Sequence, residues 1–226
     1  MFCFCKKQFR LKTVILISAF LAGSIPPNAN SYESGEFIYN ESYFHVLIYS
    51  AGVLGDLGHD HVIAATNWLG NYEVKNNGDL KIYMKIDVAS LEVDDVNNRA
   101  KYPYLSKKAQ PPGKAIHGTK QNMLSEKILD ANNYPYIRTI IVGNIKTQQI
   151  KIKLLIKDNK MEVNTNFDLE CISGVVKAKG NFQLNHADLG LQPYSVFFGS
   201  IQVAEPIDFY FVAAVSSDCK EIINTM

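Results

Sequence analysis

The chain has 226 residues, 47% of them hydrophobic and 20% charged, with a formal net charge of +1 at pH 7. That is enough apolar sequence for one sizeable domain with a closed core. A balance this close to neutral excludes nucleic acid as an electrostatic partner, because phosphate binding needs a strongly basic face.

Lys6, Lys7, Arg10 and Lys12 form a basic stretch, and an apolar run from Thr13 to Ile25 follows, ending at Pro26-Pro27. This is the layout of a secretory signal peptide over residues 1–30, leaving residues 31–226 as the mature domain. The run is too short for a membrane span, which needs about 20 residues. Leu21-Ala22-Gly23 has the form of a lipoprotein signal, but Ser24 stands where that signal needs a cysteine, so no lipid anchor is expected. Removal of the four cations takes the formal charge from +1 to −3. Cys3 and Cys5 leave with them. Cys171 and Cys219 remain, either bridged or as separate thiols; an oxidising compartment permits the bridge.

The mature domain reads as strands. Phe44, Val46 and Ile48 give one run, and Val62 to Trp68 gives a second. Leu80, Ile82, Met84, Ile86 and Val88 alternate with Lys81, Tyr83, Lys85 and Asp87, the pattern of a half-buried strand. Ile137 to Val142, Ile150 to Ile156, Val163 to Leu169, Val176 to Leu184 and Ile201 to Val215 complete the set. Asn76-Asn77-Gly78-Asp79 and Lys157-Asp158-Asn159-Lys160 sit where hairpin turns belong. About eight strands with one wet and one dry face predict an all-β, antiparallel β-barrel, which also removes exposed edges. A two-sheet sandwich is the alternative.

Between the first and second strands of this series lies Gly58-His59-Asp60-His61. In extended chain, His59 and His61 would face one way and Asp60 the other. Gly55 and Gly58 suggest a tight loop entering the strand, so only His61 is securely on it. Glu92, Asp94 and Asp95 read as a solvated acidic turn. From Asn98 to His117 the chain carries Arg99, Lys101, Lys107, Lys108 and Lys114, no acidic residue, and Pro103, Pro111 and Pro112. This predicts an irregular basic excursion, either a solvated connection or a lid whose cations meet anionic head groups. Gly118 to Asp130 predicts one short helix, capped by Gly118 or Thr119, with Met123, Leu124, Ile128 and Leu129 on one side.

Asn122-Met123-Leu124, Leu129-Asp130 and Tyr134-Pro135-Tyr136-Ile137 form an ordered series. Phe182-x-Leu184-Asn185-His186-Ala187-Asp188-Leu189-Gly190 follows downstream. Upstream, Phe44-x-Val46 leads through Gly55 and Gly58 to His61, and then to Leu69-Gly70-x-Tyr72. In this order the chain resembles the YceI-like family from about Glu36 to Val215. The resemblance implies a lipocalin-like antiparallel barrel exported to the bacterial periplasm. It departs from the family pattern at His186, where Arg is common, and in the length of the basic excursion.

The function so implied is binding rather than catalysis. The ligand would be a long-chain isoprenoid, a quinone-like chain or a fatty acid derivative, held in an apolar bore. Burial gains about 0.8 kcal/mol per CH₂, so a dry cavity needs no special motif. Phe44, Trp68, Phe182, Phe197, Phe198, Phe209 and Phe211 are the large residues available to line it. His59, His61 and His186 are the candidates for a polar head group at the mouth. No resident cofactor and no metal are expected. Transient contact with a membrane and a homodimer are both compatible with such a carrier.

The alternative is a metalloprotein on the same barrel, with His59 and His61 joined by His45 or His186. Three imidazoles with an open position would suit zinc. No His-Glu-x-x-His, paired-cysteine, GxSxG, P-loop or GxGxxG motif accompanies them, and no Cys-x-x-Cys-His exists for haem.

Overall fold

The computed structural model describes residues 32–217. The expected signal peptide and Cys219 lie outside the described residues. In chain order come β1 (Tyr32–Glu36), β2 (Tyr43–Ile48), β3 (Ser50–Ala51), β4 (His61–Ala64), β5 (Trp68–Lys75), β6 (Asp79–Asp87) and β7 (Glu92–Val93). Three short helices follow: α1 (Val96–Ala100), α2 (Pro103–Ser106) and α3 (Gly113–Leu124). The remaining strands are β8 (Tyr136–Asn144), β9 (Gln149–Ile156), β10 (Asn159–Asn166), β11 (Asp168–Ile172), β12 (Val175–Leu184), β13 (Ser195–Val196), β14 (Ile201–Val203) and β15 (Ile207–Ser216).

Every pairing is antiparallel. One sheet has the order β1-β5-β6-β8-β9-β10, a second has β11-β12-β15-β2-β4-β7, and a small third has β13-β14-β3. The all-β antiparallel class holds. The closed barrel of about eight strands does not: the described ladders form two six-stranded sheets, and no ladder joins β10 to β12. After β10 the chain passes the buried Phe167 and enters the second sheet as β11. Across that seam the Thr165 hydroxyl donates to the carbonyl of Asn181 at 2.9 Å.

The alternating pattern built these strands for the expected reason. On β6, Leu80, Ile82, Met84 and Ile86 turn inward, while Lys81, Tyr83 and Lys85 are exposed. Two apolar clusters fill the space between the large sheets, one around Ile63, Val88, Leu184 and Ile207, the other around Phe37, Trp68, Ile141 and Ile152. Gly180 lies opposite Phe211 on the neighbouring strand. A Cβ there would stand 2.4 Å from the Phe211 ring, so only glycine lets that ring lie over β12.

Three expectations along the chain are corrected. The runs from Val62 to Trp68, from Val163 to Leu169 and from Ile201 to Val215 each fall on two strands, broken at 65–67, at Phe167 and at Ala204–Pro206. The helix begins at Gly113, directly after Pro112, and ends at Leu124. Gly118 and Thr119 are therefore inside it, and Ile128 and Leu129 pack from the turns that follow. The basic excursion is not irregular. Asp95 caps α1, accepting from the amides of Asn97 and Asn98, and α1 and α2 cover the outer face of the second sheet. There Leu47, Val62 and Leu105 are buried together beside Tyr49, Tyr102 and Tyr210.

Candidate ligand cavity

The inner faces of the two large sheets do not meet everywhere. They leave a cavity of about 500 Å³, within the range of small-molecule sites. Its walls follow the two-residue period: Phe44, Val46 and Ile48 from β2, Ile137, Thr139 and Ile141 from β8, Ile152, Leu154 and Ile156 from β9. Ile207, Phe209 and Phe211 of β15 face the same space, and α3 closes part of it with Ala115, Gly118, Thr119 and Met123. Phe182 of β12 stacks flat on Phe209 at 4.9 Å, as directly opposed strand partners.

Of the sequence-predicted residues, Phe44, Phe182, His59, His61 and His186 border the cavity. Trp68 does not. It is buried behind Phe44, edge-on to it at 4.8 Å, and packed against Phe37 and Tyr39. It is core filler that braces the wall. Phe198 does not either. It is fully exposed at 113%, and Phe197 is 70% exposed. Both sit in a tight turn with φ of 50° and 56°, which throws their rings outward.

At one place the cavity border becomes polar. His59 is exposed and lies 6.1 Å from the buried His61, centroid to centroid. His61 begins β4 and its Nδ1 meets Asp94 Oδ2 at 2.5 Å. Its Nε2 meets the Thr119 hydroxyl of α3 at 3.2 Å. Asp94 is only 2% exposed. It also accepts from the amide of Val62 at 3.0 Å and from Arg99 at 2.6 Å. Burial opposes ionisation of Asp94. The bonds from His61, Val62 and Arg99 outweigh it and hold the carboxyl below its usual value.

Asp60 points away from the cavity and anchors the excursion. It accepts from the Ser50 amide at 2.8 Å, from Tyr104 at 2.8 Å and from Lys108. Burial again opposes ionisation, and these donors, Lys108 foremost, carry its carboxyl below the usual value. Arg99 is 4% exposed and donates to the carbonyl of Asp60 as well. Two of the five cations expected on a surface excursion thus serve as internal fasteners of the His59-Asp60-His61 segment. Asp94, assigned to a solvated turn, is the centre of the network. The five-residue spacing from Asp94 to Arg99 across the start of α1 is a weak signal that only the tertiary contact makes readable.

The metal arrangement has no support. Among the described residues no three of His, Cys, Asp and Glu gather to hold an ion. His45 faces the outer side of its strand. It bonds Tyr102 at 2.8 Å and stacks on Tyr43, while His61 faces inward. Burial and the nearby Lys101 push the His45 imidazole down to about 4. His186 is held by Glu205, which accepts from its amide and its Nδ1 at 2.8 Å. Cys171 is disulfide-bonded.

An antiparallel β body enclosing a largely apolar cavity, with imidazoles at its border, has the features of a binding site for a hydrophobic small molecule. A YceI-like domain model matches residues 58–213, and the chain belongs to the YceI-like family. Members of that family bind lipids or isoprenoids and are commonly periplasmic. In fold the chain is similar to BcnA of Burkholderia cenocepacia, with a TM-score of 0.56 and 13% identity, over 80% of this chain and 99% of that one. A Campylobacter jejuni YceI protein aligns with a TM-score of 0.47 and 9% identity, over 69% of this chain and 84% of that one. No curated protein matches the chain.

Proposed function

We propose that the protein is an exported, periplasmic carrier that holds a long-chain isoprenoid or related amphiphilic lipid. The observation that carries this reading is the cavity of about 500 Å³, walled mainly by Phe, Ile, Leu, Val and Met side chains, with His, Thr, Asn, Gln and Tyr among the rest. Burying a fifteen-carbon chain gains about 12 kcal/mol at 0.8 kcal/mol per CH₂. Association costs about 4–15 kcal/mol, so net affinity falls with each carbon removed from the chain. The apolar tail lies against Phe44 and Phe182. The head group meets His61, with His59 and His186 beside it. Asp94 accepts the Nδ1 proton of His61, which fixes the ring with Nε2 turned toward Thr119 and the ligand head group. The role is binding, without a covalent step.

The test is lipid extraction and native mass spectrometry of protein purified from its own host. A stoichiometric long-chain amphiphile is expected. His61→Ala should lower its occupancy about tenfold, the loss of one good hydrogen bond at a buried head group. Protein that is lipid-free, and that fails to take up isoprenoid quinone or fatty acid from solution, would sink the reading.

A further inference from the structure

The two exposed phenylalanines do not stand alone. Residues 52–57 link β3 toward β4, and residues 197–200 link β13 to β14. The two segments are fastened together. The Leu54 amide donates to the Ser200 carbonyl at 2.8 Å. Gly52 has φ +97°, and a Cβ there would lie 2.4 Å from the same carbonyl oxygen, so the loops touch backbone to backbone.

This joint platform exposes five large apolar side chains. Val53 and Leu57 are 91% and 70% exposed, Leu54 is 46% exposed, and Phe197 and Phe198 are 70% and 113% exposed. Asp56 is the one charged side chain in the two segments. Aromatic residues at positive φ are uncommon and cost free energy. Here two in succession adopt it, and among the described residues Phe197 gains little burial in return and Phe198 none.

The flanks of the platform identify what it meets. Ser50, Gly58 and Ile201 adjoin these loops in sequence and border the cavity. The exposed rings therefore ring the same edge of the molecule at which the apolar cavity reaches the polar His59–His61 region. We infer that this edge is a membrane-docking tip, and that its partner is the interfacial zone of a phospholipid bilayer, entered by Phe197 and Phe198 with Val53, Leu54 and Leu57 around them. This rests on the carrier reading for its purpose. A long-chain amphiphile is soluble in a bilayer and not in water, so a cavity that opens at the docked edge exchanges cargo without exposing it. Apolar side chains projecting from a loop suit insertion among acyl chains, where burial needs no complementary shape. With a single acidic charge in the tip, the attraction is apolar and insensitive to salt.

The experiment is flotation of the purified protein with neutral phosphatidylcholine vesicles at low and high salt, with bound lipid measured on the same samples. The wild-type protein is expected to float at both salt concentrations. Phe197→Ser/Phe198→Ser should reduce the floated fraction at least about tenfold, with the cargo and the unfolding midpoint unchanged. Leu57→Ser serves as a second variant, with a smaller loss, if the double substitution folds poorly. Flotation that depends on the two rings in protein devoid of cargo upholds the tip and overturns the carrier reading alone. Wild-type protein that stays at the bottom, a double variant that floats equally well, or a ring-dependent dimer without vesicle binding overturns the tip.

Discussion

The two ends of the cavity are built on opposite principles. At the inner end, between Phe44, Phe211, Ile141 and Ile152, the walls are apolar, and Trp68 backs them from behind. Nothing there distinguishes one hydrocarbon from another except its girth. At the other end, His61, Asp94, Arg99 and Thr119 are held by directed bonds of 2.5 to 3.2 Å. Affinity is assigned to the first region and selection to the second. The contrast divides one cavity between two kinds of wall: the inner part is apolar, and the polar border is braced by buried charge.

That contrast can be broken by substitution. The largest effect is expected at Asp94. Asp94→Ala strands Arg99 and His61 in a buried site, and urea unfolding should show a loss of about 3–5 kcal/mol. A loss below 1 kcal/mol would mean that the network is incidental to folding.

The next effect is in pH. The unfolded His45 imidazole titrates near its ordinary value of 6.5, and the folded one near 4. Between these values the unfolded chain binds the extra proton, so stability is full above pH 6.5 and falls as pH drops toward 4. The loss by pH 4.5 should be about 2 kcal/mol, and His45→Phe should flatten that limb of the curve. Asp94 and Asp60, both depressed below 3.8, add their own loss only below that pH, as they are protonated. An unaltered slope in His45→Phe would assign the limb to other groups.

A third substitution separates the two ends directly. Leu154→Trp fills the dry region, and lipid occupancy should fall about tenfold while stability shifts by about 1–2 kcal/mol. Unchanged occupancy would place the ligand elsewhere. The smallest effect belongs to the outer surface. Lys153 and Glu162 pair at 3.0 Å but stand half in water, and Lys153→Ala should cost no more than about 0.5 kcal/mol in urea unfolding.

The dry region was the more legible of the two. Its residues repeat every second position along β2, β6, β8, β9 and β15, because a strand facing a cavity has the same period as one facing a core. Turn chemistry was equally plain, and Gly78, at φ +90°, sits in the β5–β6 hairpin as expected. The count of sheets was not legible, since alternation says nothing about whether edges join. The polar network was hidden for a related reason. His61 was picked out, but Asp94 lies 33 positions away, and an acidic residue after a strand usually means a solvated turn. Phe198 misled because a phenylalanine is ordinarily inside. Only the left-handed backbone at 197–198 reverses that expectation, and no local signal announces it.

The seam between β10 and β12 has a mechanical consequence. A closed ring of strands has a girth fixed by its hydrogen-bond registration, so widening it breaks a row of bonds, each worth about 1 kcal/mol. Here the two sheets are fastened at that edge by Thr165 on Asn181 and by side-chain packing. The body is therefore a clasp rather than a pipe. Opening at that edge is resisted by a few contacts, so under the proposed carrier role one unaltered pair of sheets accommodates chains of different thickness.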